Sequence, residues 1–191
     1  MKLKRQEFQT IRSVLDPHRF VFLDETWVKT NMTRLYGWGP VGQRIVEWVP
    51  HGHWKTTTFV AAMRSTGLFA PMVVDGPMNG PTFVAYVQNL LVPELKPDDI
   101  VVMDNLTSHK VSGVEQAIVR AGAHVLFLPP YSPDWNPIEG AFSKIKNEIR
   151  KQEPRSKADC DDLCGECLDW FDTTMCENFI RHAGYQFQER F

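Results

Sequence analysis

Residues 100–105 read Ile-Val-Val-Met-Asp-Asn, with Pro97-Asp98-Asp99 just before them. A short apolar run closed on both sides by turn formers reads as a strand buried on both faces. A second run of this kind, Phe20-Val21-Phe22-Leu23, leads directly into Asp24-Glu25-Thr26. Each run delivers an aspartate at its carboxyl end. In open α/β sheets that lip is where ligands bind.

Outward from these two strands, the pattern between them is β-rich. Leu35–Trp38 is closed by Gly39-Pro40-Val41-Gly42, and Arg44–Val49 by Pro50-His51-Gly52. Trp54–Met63 and Leu68–Val74 follow, separated by the turn Arg64-Ser65-Thr66-Gly67. Together they predict an antiparallel meander, with Trp38, Trp48 and Trp54 as core or hairpin residues. The period then changes. Thr82–Leu91 and Val111–Ala121 carry apolar residues at helical spacing, His124–Leu128 is a third short strand, and Pro137 opens a long helix with Asn136 as its N-cap. Ile138, Phe142, Ile145 and Ile149 form the buried stripe of that helix, and Glu139, Ser143, Lys146 and Arg150 a polar stripe beside it. Strands first and α/β alternation later predict an α/β mixed sheet with helices on its faces. Residues 1–19 form an N-terminal arm or short helix, 20–155 the main domain, and 156–191 a helical extension.

Composition sets limits on function. The chain has 191 residues, 43% of them apolar and 23% charged, which argues against disorder and against a coiled coil. No stretch approaches 18 apolar residues and the N-terminus has no apolar leader core, so a cytoplasmic protein without a membrane partner is expected. Twenty-one basic against 23 acidic residues give a net charge of −2, which does not advertise nucleic-acid binding by bulk charge.

A third acid joins the two strand-end aspartates: Glu139, in the first turn of the long helix. Three carboxylates from three elements suit one or two hard divalent cations, Mg2+ or Mn2+, at which phosphodiester chemistry proceeds. Singly, each acid is equally a turn former or a helix-dipole partner. Their flanks decide. The segments FLDET, VVMDNLTSHK and LPPYSPDWNPIEGAFSKIK resemble DDE transposases of the mariner superfamily, and more narrowly its bacterial branch, insertion sequence family 630. Thirty-four residues separate Asp104 from Glu139, the spacing this superfamily favours. GWGPVGQR at 37–44 and RHAGY at 181–185 also resemble family segments; Trp135 stands where a smaller apolar residue such as Leu is expected.

The resemblance implies an RNase H-like fold with a mixed five-stranded sheet, and Asp24, Asp104 and Glu139 as the catalytic, metal-binding triad. It implies hydrolysis at transposon ends followed by strand transfer into target DNA, with TA as the insertion site. Family members carry N-terminal helix-turn-helix modules; about 19 residues before the first strand are too few for one. Such a portion is expected to be missing from this chain or supplied by another reading frame, and a homodimer is a further expectation, in the bacterial cytoplasm or nucleoid.

Around the triad, Asn105, His109, Lys146 and Arg150 are candidate DNA contacts. His109 reads either as a phosphate or water contact or as a capping or surface group. Lys146 and Arg150 read either as backbone contacts or as a solvated helix flank. Tyr131 and Trp135 either stack on bases or pack over the edge of the site. Cys160, Cys164, Cys167 and Cys176 do not follow a standard zinc spacing and read as packed, reduced thiols. Two enzymatic or binding alternatives remain beside the transposase: an RNase H-like nuclease or resolvase without strand transfer, and an inactive remnant that binds DNA. A zinc-organised interaction module would rest on the cysteines alone.

Overall fold

The two apolar runs lie side by side at the centre of the computed structural model, which describes residues 2–187. β1 (Phe20–Lys29) pairs in parallel with β4 (Ile100–Met103), with Phe20 opposite Ile100 and Phe22 opposite Val102. β2 (Thr56–Arg64) and β3 (Gly67–Asp75) form the antiparallel half, and β5 (His124–Phe127) closes the parallel half. The order is β3-β2-β1-β4-β5, a mixed five-stranded sheet as expected.

Alternation along the central strand divides two cores. Phe20, Phe22 and Val28 face one side, where α4 (Ile138–Gln152), α5 (Lys157–Glu166) and α6 (Thr173–His182) pack, together with Phe8 of α1 (Lys2–Val14). Val21 and Leu23 face the other, covered by α2 (Gly80–Tyr86) and α3 (Val114–Arg120). The predicted stripe of α4 is buried at Ile138, Phe142, Ile145 and Ile149. All four cysteines are buried in the first core as free thiols. Burial pushes the Cys160 and Cys176 thiols up to about 11, which keeps them protonated as packing groups.

Three sequence expectations are corrected. β1 does not end at Leu23; it runs on to Lys29, held throughout by β2. Leu35–Trp38 and Arg44–Val49 are not strands, because among the described residues no neighbouring strand satisfies their backbone. Trp38, Trp48 and Trp54 are therefore not core residues: Trp38 and Trp48 are almost wholly exposed and Trp54 is half-exposed. Finally, the long helix begins at Ile138 with Pro137 as its cap, and the Asn136 side chain is used elsewhere.

Candidate active site

Strand lengths place the first two acids. The pairing between β1 and β4 stops at Phe22 and Val102, so beyond it the chain of β4 turns away at Asp104 while β1 continues. Asp24 thus lies within β1, not at its end, on an edge that β4 has vacated. Its parity turns it toward the α4 side, where the first turn of α4 carries Glu139. The three acids line one cleft of about 440 Å³, together with Asn105, Tyr131 and Asn136.

Asp24 is buried, and both its oxygens are engaged. Oδ1 accepts the Glu25 backbone N–H at 2.8 Å, and Oδ2 accepts from Asn136 Nδ2 at 2.7 Å. Burial is the main reason its carboxyl is pushed up to about 7, and the charges of Glu139 and Asp104 add to it. Asp104 is half-buried and differently placed. Its Oδ1 accepts from the Leu106 N–H at 2.9 Å and lies 2.6 Å from His109 Nδ1. Burial opposes its ionisation, but His109 and the Leu106 N–H outweigh that and hold the carboxyl below its ordinary range.

His109 overturns its reading as a surface or capping group: it is 1% exposed. Its Nε2 sits 2.8 Å from Glu25 Oε2, its Nδ1 faces Asp104 without the alignment of a hydrogen bond, and its ring lies 4.3 Å from that of Phe83. Burial disfavours the imidazolium, yet the two carboxylates prevail and raise it to about 9. Glu25 is the residue that sequence reasoning missed. Strand alternation after Asp24 was the available signal, since it turns Glu25 to the opposite face, where His109 waits.

A family model described as DDE superfamily endonuclease matches residues 19–162. The chain belongs to that family. No curated protein matches it in sequence. Among solved structures it is similar to the mariner Mos1 paired end complex with Mg, at TM-score 0.78 and 18% identity over 98% of this chain and 63% of that one. It is similar to the Mos1 strand transfer complex at TM-score 0.74 and 20% identity, over 95% and 56%. It is similar to the isolated Mos1 catalytic domain at TM-score 0.66 and 17% identity, over 97% and 94%. The chain therefore spans about 56% of the Mos1 chain in the strand transfer complex and most of its catalytic domain. The shared architecture is the RNase H-like fold.

In this DDE-family chain the remaining candidates fall into different settings. Asn105 donates from Nδ2 to the Leu128 carbonyl, tying the lip of the cleft to the start of the proline-rich loop. Lys146 is half-buried, 4.4 Å over the Trp27 ring; burial lowers its pKa, although Glu139 pulls the other way. Arg150 bonds Asn147 and lines a separate groove with Arg34, Lys144 and Lys151, away from the acids. Tyr131 is exposed at the lip, whereas Trp135 is packed against α1. Among the described residues no group of three or more His, Cys, Asp or Glu is arranged around one ion position, and no helix is long and apolar enough to cross a membrane.

Proposed function

We propose that this chain is the catalytic part of a DDE transposase of the mariner superfamily, in the insertion sequence family 630 branch. Residues 20–155 are its catalytic unit and 156–191 a helical extension. Asp24, Asp104 and Glu139 are the acids that hold Mg2+ or Mn2+. The reaction is phosphodiester hydrolysis at transposon ends and strand transfer into target DNA at TA sites. The observation that carries this reading is the convergence of three acids from β1, the end of β4 and the start of α4 on one cleft.

The donor types suit such ions, although among the described residues the three acids are not drawn around a single ion position. The set is all-oxygen and negative, and the acids repel one another enough to help keep Asp24 protonated to about 7, a strain that a cation relieves. The two bonds Asp24 accepts leave lone pairs on each oxygen, and Asp104 Oδ2 is unengaged among the described residues. A divalent cation at this site supplies activation of the attacking oxygen and neutralises charge on the phosphate.

The chain's own residues supply the rest. Asn136 fixes the Asp24 carboxylate, and the Leu106 N–H together with His109 fixes Asp104. Lys146, beside Glu139, offers a cation to the DNA backbone. A helix-turn-helix portion in the same or a separate polypeptide reads the transposon ends, two copies pair them, and the assembly works in the bacterial cytoplasm or nucleoid. The test incubates the chain, with and without such a portion, with its element's end DNA and Mn2+. Nicking and joining support the reading. Nicking without joining at any condition supports a nuclease instead, and no metal-dependent cleavage overturns both.

A further inference from the structure

The loop that delivers Asn136 and Glu139 is held from outside by α1. Arg5 grips it with a forked ion pair: Nη1 and Nη2 donate to the two Asp134 oxygens at 3.1 and 2.6 Å, and Nη1 also donates to Ser132 Oγ at 2.7 Å. The same guanidinium lies 3.8 Å over the Trp135 ring. One turn along α1, Phe8 stacks on Trp135, with centroids 5.5 Å apart and planes 14° apart. A further turn on, Arg12 lies 4.5 Å over the same ring. Cations over an indole face and an aromatic ring stacked on it all favour one ring orientation.

The C-terminal turn completes the grip. Tyr185 Oη donates to the Trp135 carbonyl at 2.9 Å, and Arg12 Nη1 donates to the Ala183 carbonyl at 2.9 Å. Gly184 has φ 87°, and a Cβ there would stand 2.9 Å from the Arg12 guanidinium. Only glycine fits this approach without displacing the arginine. The next residue after the clamped indole is Asn136, 4% exposed, whose Nδ2 holds Asp24 and whose Oδ1 has no hydrogen-bond partner among the described residues. Three residues further lies Glu139.

We infer that Trp135 is a positioning residue. Clamped by Arg5, Phe8 and Arg12, it sets Asn136 against Asp24 and fixes where α4 presents Glu139. The inference rests on the acid cleft being catalytic, but the placement of Asn136 can be read without any reaction. Side-chain misplacements of about 1 Å near reacting groups cost on the order of a hundredfold in rate. The hydrogen bond from Asn136 Nδ2 to Asp24 is the direct link from the clamped loop to the cleft's acids.

The experiment follows the Asn136 side-chain amide by NMR in the full chain, alongside Mn2+-dependent nicking of duplex DNA at saturating DNA. Arg5→Ala and Trp135→Ala should both shift the Asn136 amide and expose it to exchange. They should slow nicking by about tenfold or more while the DNA Kd stays within about twofold. Trp135→Phe, which keeps the stack on Phe8, should restore both. Arg5→Ala removes only a partly exposed side chain, so it carries the test if Trp135→Ala fails to fold. An unmoved Asn136 amide in Arg5→Ala, or a nicking rate within about twofold of the parent chain, overturns the inference. If Asn136 moves as expected but the parent chain never nicks DNA, with or without a helix-turn-helix portion supplied, the positioning stands and the catalytic reading falls.

Discussion

Two aromatic-rich stretches of this chain meet opposite fates. In Phe20–Lys29, Phe20, Phe22 and Val28 bury into one core and Val21 and Leu23 into another, and the strand is paired along its length, first with β4 and from Phe22 onward with β2. In residues 31–55, Tyr36, Trp38, Val46 and Trp48 stand in solvent on a chain without strand partners. Both are rich in aromatic and β-branched residues, although 31–55 also carries four glycines and two prolines and Phe20–Lys29 none. What separates them is whether a neighbouring backbone is available, and that is a property of topology. The first stretch carries an acid into the cleft; the second leaves a large apolar surface uncovered.

The largest effect that would break this contrast is chemical. Asp24→Asn and Asp104→Asn should each reduce Mn2+-dependent DNA cleavage by about a thousandfold or more, because each removes a charge that no other group replaces. Trp48→Ala should leave the cleavage rate of a preformed nick-ready duplex within about twofold. Rates on the same duplex for all three variants settle the comparison.

Next comes stability. Phe142→Ala empties a buried site that packs edge-on to Phe59, and should cost about 3–5 kcal/mol in urea unfolding. Trp38→Ala, at a fully exposed position, should change stability by less than about 0.5 kcal/mol. A large loss at Trp38 would mean that the 31–55 segment is anchored after all.

The part of the site that was legible in the sequence is the part set by local pattern. Asp24 and Asp104 follow apolar runs, and Glu139 follows a proline that opens a helix whose buried stripe is periodic. The illegible part depends on contacts between distant segments. Glu25 and His109 meet across 84 positions, and Arg5 reaches Asp134 across 129. Asn136 reads as a helix cap from its place before Pro137, yet its side chain is taken by Asp24 across 112 positions. The extra strands predicted within 31–55 failed for the same reason: propensity supplies the candidates, and pairing selects among them.

A smaller effect is expected from pH. Between the ordinary carboxyl value of 3.8 and about 7, folded Asp24 binds a proton that the unfolded chain has released. Metal-free stability should therefore fall as pH rises through that window, by a few kcal/mol at most. The His109 contribution has the same sign: it is present below 6.5 and is lost as pH rises through about 9. Melting temperatures at pH 5, 7 and 9 without metal should decline in that order, and added Mg2+ should flatten the decline because it competes with the proton. A melting profile that rises from pH 5 to 9 without metal would reverse the assignment. Smallest is Lys146→Ala, which should weaken DNA binding by about the same modest factor on any duplex, since a phosphate contact carries no base information.

The most direct test of the acid cleft is Mn2+ binding itself, followed by electron paramagnetic resonance on the parent chain and on Asp24→Asn, Asp104→Asn and Glu139→Gln. The parent chain should take up the ion, and each substitution should weaken that uptake by about tenfold or more. Equal Mn2+ affinity in all four proteins, or none in the parent chain with DNA present, would contradict a metal site built from these three acids.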